Sequence, residues 1–429
     1  MISLNEALQL VFDSIHPLDV IRTKLNEALG CVLAADITAH YPNPRFNNSS
    51  MDGYAIISND LVLASRTNPI SLEVIEDLPA GKSCQRTLET GQAVRIMTGA
   101  PLPLGADSIV MVEETEKSKN SVKFFHAPKR GEFVRCAGED IKEGEIIVPK
   151  AKIIGPTEIM ALAGQGVTEI DVIRRPRVAI LATGDELVEP GGKLTEGHIF
   201  NSSSAMLSAL IHASGGSPID LGIAPDDPKI IEEKIRQLLS LRAQAKQSPS
   251  PPPSPLRGEG EGEGETDILL ITGGVSVGDY DYNRNVLEKL GWNEIFWRVA
   301  IKPGKPLVFG LLEGKPVFGM PGNPISTMTV FELFVRPAIR KMMGSTAPDD
   351  RRLTAELAND VECDPKREQL LLGALYFENG KAFVDARGPQ SSSHMKPALS
   401  SNCLARIPNG KGILESGEII EVWPLSKLH

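Results

Sequence analysis

Hydroxyls, glycines and carboxylates gather at two places in this chain where an apolar run stops. LATGDELVEPG places Thr183, Gly184, Asp185 and Glu186 directly after RVAIL. LLITGGVSVGDYDY places Thr272, Gly273, Gly274, Ser276 and Gly278 after a second such run, followed by Asp279 and Asp281. Glycines after a strand let backbone N–H groups approach a phosphate or another oxyanion, and Ser and Thr hydroxyls add donors. Carboxylates beside such a nest repel the ligand unless a divalent cation sits between them. Glu186, Asp226 (in APDDP), Asp279 and Asp281 offer oxygen ligands suited to Mg²⁺. Solvated turn carboxylates would read the same way. Neither GxGxxG nor GxxxxGK[ST] occurs, so neither a dinucleotide fingerprint nor a P-loop is indicated.

Two further strand ends carry cations and rigid turns. RVAIKPGKP brings Arg298, Lys302 and Lys305 around a Pro-Gly turn, an anion pocket or a plain surface hairpin. VFGMPGNPIST ends a strand on Pro321, Gly322, Asn323 and Pro324, and Ser326 and Thr327 then open an amphipathic helix. The prolines give up donors but stiffen the loop, and a helix start favours an oxyanion. Three weaker clusters precede these: NNSSMDGYAI with Asp52, RIMTGAPLP with Thr98, and VRCAGEDIKEGE with Arg135, Glu139 and Asp140. Together they suit the rim of a cleft in one β domain. The seven histidines are isolated, with no HxxxH or HExxH, and none of the motifs suggests a Ser-His-Asp or Cys-His arrangement.

The elements that must position these groups follow from periodicity. Residues 1–30 read as helical, with Leu4, Ala7, Leu8, Val11 and Ile15 on one stripe and LDVIRTKLNEAL continuing it after Pro17. They join 145–173, where IGPTEI offers Thr157 as a cap, in a helical or linker domain. Residues 31–144 are short β-rich runs parted by Gly and Pro, a mixed or barrel-like β domain. From 174 to 343 apolar strands alternate with helices, which predicts an α/β domain with a largely parallel sheet and ligands beyond the strands' carboxyl ends. Asn201 or Ser202 caps the NSSSAMLSALIHASG helix. Residues 344–429 return to β structure. About 244–266, QAKQSPSPPPSPLRGEGEGEGET, reads as a disordered surface insertion. The fold expected is therefore multidomain α+β.

At 429 residues the chain exceeds one compact core. Lys+Arg 45 against Asp+Glu 55 gives a formal charge of -10, which argues against a general nucleic-acid binder. Five scattered cysteines form neither a disulfide framework nor a zinc site. No apolar run is of membrane-spanning length and no signal peptide is read at the N-terminus, so the cytoplasm is the expected location.

The set MDGYA (51–55), RIMTGAPLP (95–103), GEDI (138–141), ATGDEL (182–187), PDDP (225–228), TGGVSVGDYDY (272–282), AIKPGKP (300–306) and GMPGNPIS (319–326) resembles the molybdopterin molybdenumtransferases, a molybdenum-cofactor biosynthesis family related to the gephyrin C-terminal region. The likeness spans essentially the whole chain apart from the insertion. It implies a molybdopterin-binding α/β domain and a homodimer whose cleft lies between that domain and the β domain of the partner subunit. It also implies Mg²⁺-dependent insertion of molybdate into adenylylated molybdopterin, releasing AMP. By motif, Asp52, Thr98 and Asp140 belong to the β side of the cleft, and Glu186, Asp226 and Asp281 to the α/β side as metal ligands. Lys302, Lys305, Pro321, Pro324 and Ser326 line the pocket for pterin phosphate or molybdate. Transient contacts with the adenylyltransferase of the pathway and with molybdoenzyme maturation proteins are further implications. Arg298 departs from the lysine common in the family, and Asp-Tyr-Asp from Glu-Ala-Asp, with Asp281 in place. The rival readings are a molybdopterin adenylyltransferase, disfavoured by the extra β domains, and a non-catalytic gephyrin-like scaffold.

Overall fold

A computed structural model describes residues 1–245, 266–274, 282–349, 351–388, 390–391, 394–410 and 412–425. Most of the expected insertion, together with Ser276, Gly278, Asp279 and Asp281, lies outside the described residues. The chain divides into two compact units: Met1–Ala34, Ala151–Gly155 and Glu169–His429 form one, Ala35–Lys150 and Pro156–Thr168 the other.

The larger unit contains the expected α/β domain. Its sheet runs in the order Ser217–Ala224, Arg177–Thr183, Ile268–Thr272, Lys315–Met320, Val308–Leu312, Asn293–Trp297. The first four strands are parallel; Val308–Leu312 runs antiparallel to them, and the edge strand Asn293–Trp297 pairs antiparallel with Val308–Leu312. After Arg177 the run VAILA (178–182) is apolar throughout because both faces are covered. Val178 and Ile180 pack with Leu4, Leu8, Leu207 and Ile211, whereas Ala179 and Leu181 meet Ile231, Ile235 and Val286 on the other side. The antiparallel edge follows from a two-residue hairpin in which Glu313 and Gly314 both take positive φ, 50° and 80°. The strand order leaves the carboxyl ends of Arg177–Thr183, Ile268–Thr272 and Lys315–Met320 side by side.

The N-terminal helix is Leu4–Asp13, with the Ser3 side chain accepting from the Glu6 N–H at 3.2 Å. LDVIRTKLNEAL does not continue it. Val20–Lys24 is a strand, Leu25–Glu27 a short 3₁₀ turn, and the strand pairs antiparallel with Glu169–Ile173. Its β-branched Val20, Ile21 and Thr23 suit that pairing, and the partner lies too far along the chain for local periodicity to reveal it. Thr157 is not a cap either. The helix opens at Pro156, and the Thr157 hydroxyl donates to the Glu158 carboxylate at 3.1 Å.

A three-part helix follows the PGNP loop: Pro324–Val330, a π-helical turn Phe331–Val335, and Arg336–Met342. Pro337 has no N–H for the carbonyl four residues back, and the turn before it widens accordingly. That turn buries Glu332, which is 1% exposed. It accepts from Arg336 at 2.7 and 2.8 Å and from Arg351 at 2.7 Å, while Arg351 also donates to the Pro424 carbonyl at 2.8 Å. Arg351 and Pro424 flank and close the C-terminal sheet, which is built from Leu353–Leu357, Glu368–Glu378, Lys381–Asp385, Cys403–Ile407 and Ile419–Pro424. The two-residue strand Ile301–Lys302 joins that sheet, parallel to Glu368–Gln369.

The smaller unit holds a six-stranded mixed sheet with Gly53–Ile56 and Gln92–Ile96 near its centre. Tyr54 and Ile56 pack on one face, Ala55 on the other. Gly53 is required by close approach, since a Cβ there would collide with the Val110 carbonyl oxygen of the neighbouring strand. No helix among the described residues is long and apolar enough to cross a membrane.

Burial opposes the Glu332 charge, yet the Arg336 and Arg351 guanidiniums hold its carboxyl below the ordinary range. A folded-state pKa below the unfolded value means that the unfolded chain takes up the proton first. The stabilisation is present above the ordinary carboxylate pKa and fades as pH falls through the folded one. Glu332→Ala is expected to cost about 3–5 kcal/mol at neutral pH by removing the buried carboxylate that the Arg336 and Arg351 guanidiniums share. In denaturant titrations the gap from the parent chain should narrow below about pH 4.

Candidate functional site

Two clefts open at the carboxyl ends of the α/β strands, and the PGNP loop stands between them. The first, about 350 Å³, has Thr183, Thr272, Gly273 and Gly274 at its floor, with Glu186 and Gly322 beside them. The second, about 470 Å³, is lined by Lys302, Lys305, Pro321, Ser326, Arg367 and the C-terminal sheet residue Gln369. Asn323 borders both.

The loop is fixed from the helix that follows. Asn323 occupies the N-cap position and Pro324 the first turn. The buried Thr327 hydroxyl donates to the Pro321 carbonyl at 2.5 Å and to the Asn323 carbonyl at 3.1 Å. Thr327 thus acts on the loop and not on a ligand, while Ser326, 5% exposed, borders the second cleft.

In the first cleft the glycine turn is narrower as a donor set than its sequence suggests. The Gly184 N–H donates to the Ala224 carbonyl and the Gly273 N–H to the Met320 carbonyl, both at 3.2 Å. The Thr183 hydroxyl donates to the Thr272 carbonyl at 3.2 Å. Gly273, at φ 88°, must be glycine because a Cβ would strike the Thr183 carbonyl oxygen. The Gly274 N–H has no partner among the described residues. A second donor group comes from the Ser202–Ala213 helix, whose cap Asn201 accepts from the Ser204 N–H at 3.1 Å. Ser202 and Ser203 face this cleft at the positive end of that helix. In the sequence they read only as a helix start; the strand order brings them to the site. Leu187, Ile199 and Phe200 form its apolar wall. Ile199 and Phe200 remain 57% and 42% exposed, enough area to receive a flat ring.

Carboxylates gather at the rim. The Asp226 N–H donates to the Asp185 carboxylate at 3.1 Å. Burial raises the Asp226 carboxyl above the ordinary range; a hydrogen bond from the Asp185 backbone opposes this, and the charges of Asp185 and Glu186 add to it. Such crowding is relieved by a bound cation, so these oxygens fit a hard divalent ion. Among the described residues no three His, Cys, Asp or Glu side chains already form a metal cage. Asp281, the third expected ligand, is outside them.

The second cleft is cationic. Lys302, Lys305 and Arg367 line it, with no carboxylate among its described lining residues. Asp364 lies behind, accepting from Arg367 at 2.9 Å. The Lys366 N–H and Arg367, with a smaller contribution from the Lys302 charge, hold the Asp364 carboxyl low. Arg367 sits between two β runs with no motif of its own, and only tertiary pairing of Ile301–Lys302 with Glu368–Gln369 brings it to the lysines. Arg298 lines neither cleft. Its guanidinium stacks 3.9 Å above the Trp297 ring, at φ 70°.

In the smaller unit the Asp52 carboxylate accepts from the Thr98 N–H at 2.7 Å and the Thr98 hydroxyl at 2.8 Å. These bonds hold its carboxyl below the ordinary range. Asp140 accepts from the Asn43 side chain at 2.7 Å. One segment, 43–52, therefore carries a contact to each.

Comparison with known proteins agrees along the chain. Models of the MoeA N-terminal region (domain I and II), a probable molybdopterin binding domain and the MoeA C-terminal region (domain IV) match residues 2–166, 179–245 with 258–341, and 354–425. The molybdopterin molybdenumtransferase of Nostoc sp. is 34% identical over 99% of this chain and 94% of its own. Molybdopterin molybdenumtransferase 2 of Mycobacterium tuberculosis is 32% identical over 99% and 100%. A crystal structure of the molybdopterin biosynthesis moeA protein from Pyrococcus horikoshii superposes with a TM-score of 0.77 at 31% identity, covering 99% of this chain and 100% of that one. Identity of this order over nearly the full length of both chains reflects common descent of the whole molecule, and the chain belongs to the molybdopterin molybdenumtransferase family.

Proposed function

We propose that the chain inserts molybdate into adenylylated molybdopterin in a Mg²⁺-dependent reaction that releases AMP and leaves molybdenum cofactor. The observation that carries this reading is the pair of clefts divided by one rigid loop. One is built for a phosphorylated heterocycle; the other is a cationic pocket for a compact oxyanion. The phosphoanhydride and molybdate repel each other, so catalysis here consists chiefly of holding them at reacting distance.

Ser202, Ser203 and the Gly274 N–H would hold phosphate oxygens, and the Phe200 wall a ring. Lys302, Lys305 and Arg367 would hold molybdate, with Ser326 as a hydroxyl donor. Water then cleaves the phosphoanhydride P–O bond and AMP leaves; the two dithiolene thiols displace one oxo group of molybdate, which departs with their protons as water, with no change in the oxidation state of molybdenum. Glu186 and Asp226, with Asp281, would hold Mg²⁺, which supplies charge neutralisation at the phosphoanhydride. In this reading the molecule works as a homodimer. Asp52, Thr98 and Asp140 complete the cleft of the partner subunit, and the Asp52–Thr98 bonds keep that carboxylate ionised and aimed.

The deciding assay is release of AMP from adenylylated molybdopterin on adding molybdate and Mg²⁺; consumption of ATP with unmodified molybdopterin would overturn the reading in favour of the adenylyltransferase. Glu186→Gln and Asp226→Asn should each lower AMP release by on the order of 10²-fold. Arg367→Ala should raise the molybdate KM roughly tenfold or more through loss of a charge-assisted contact. Mixing inactive Asp52→Asn and Glu186→Gln chains after joint refolding should recover about a quarter of parental activity, because each heterodimer regains one intact cleft. No recovery would place both residues in one subunit's site.

A further inference from the structure

Asn283 stands in the first turn of the Tyr282–Lys289 helix, 1% exposed, and no motif or charge pattern singles it out. Its side-chain amide donates two hydrogen bonds, to the Thr183 hydroxyl at 3.0 Å and to the Gly273 carbonyl at 2.8 Å. Thr183 in turn donates to the Thr272 carbonyl at 3.2 Å. One amide thereby ties the ends of two adjacent parallel strands, Arg177–Thr183 and Ile268–Thr272. The turn also packs directly on it: a Cβ at Gly274 would lie 2.5 Å from Asn283 Nδ2.

The remaining polar atom has no such use. Asn283 Oδ1 is buried and without a hydrogen-bond partner among the described residues. A buried acceptor left unpaired is a penalty to the fold, and an apolar isostere would remove that penalty together with the two donated bonds. Stability alone therefore gives little reason for asparagine here. What the asparagine provides is geometry: it sets the Gly273–Gly274 turn, and so the direction of the Gly274 N–H, at the floor of the first cleft.

We propose that Asn283 is a positioning residue that aligns the Gly274 amide for an anionic oxygen of the ligand. This rests on the proposed function for the identity of that ligand, an adenylyl phosphate, but not for the alignment itself. The test uses the full chain carrying Asn283→Leu, with Thr183→Val and the double variant beside it. Amide hydrogen exchange over residues 266–274 should accelerate in both single variants while the thermal midpoint stays close to the parent's. The KM for adenylylated molybdopterin should rise about tenfold, the loss of roughly one well-placed hydrogen bond. The double variant should be no worse than either single change, because both remove one connected contact. Unchanged exchange and KM in Asn283→Leu would overturn the proposal. So would a KM increase that appears only together with a large drop in the midpoint, which would make Asn283 a plain structural residue. If the parent chain released no AMP, the functional reading would fail; the exchange result would still decide whether Asn283 holds the turn.

Discussion

A carboxylate with almost no access to water holds the two halves of the cationic cleft in register. Glu332 lies in the helix that follows the PGNP loop, and Arg351 lies at the entrance to the C-terminal sheet. Their ion pair, shared with Arg336, fixes the sheet against the helix that carries Asn323 and Ser326. The distance from Ser326 to Arg367 is thus set by a contact that touches neither. A buried ion pair adds little net stability over apolar packing, but it fixes register strongly because any slip leaves a charge unpaired. The π-helical turn at Phe331–Val335 is part of the same arrangement, since it turns Glu332 inward just before Pro337.

The clefts divide a charge problem. The two clefts present different donors: helix-start and turn amides in one, lysine and arginine side chains in the other. Amides are neutral and directional, so they can stand beside the Asp226–Asp185–Glu186 carboxylates without forming salt bridges that would quench both. The guanidinium and ammonium groups lie in the other cleft, whose described lining residues include no carboxylate, with Arg367 paired to Asp364 behind it. The PGNP loop is the partition, and the Thr327 hydroxyl keeps it from swinging.

Much of this is legible in the sequence. Parallel strands covered on both faces leave continuous apolar runs, so RVAIL, ILLIT and PVFGM announce themselves, and ligand groups follow at their carboxyl ends. What failed shares a cause. Val20–Lys24 is a strand because of Glu169–Ile173, and Arg367 belongs to the site because of Ile301–Lys302. Both depend on partners far along the chain. Thr183 and Gly273 carry the right groups for a ligand, yet the folded chain uses their polar atoms to join strand ends. Ser202 and Ser203 were visible only as a helix start until the strand order brought that start to the cleft.

The short strand Ile301–Lys302 has an architectural consequence. It leaves the α/β sheet by chain order but joins the C-terminal sheet by hydrogen bonding. The cations of the second cleft therefore come from two separate stretches of sequence, residues 302–305 and residue 367. A chimera that exchanged everything after the α/β domain at a cut near residue 344 would keep the lysines of one parent and receive the arginine of the other. The natural seam for recombination runs on either side of residues 299–307 as well, and a C-terminal domain transplanted without that loop would arrive with half its pocket left behind.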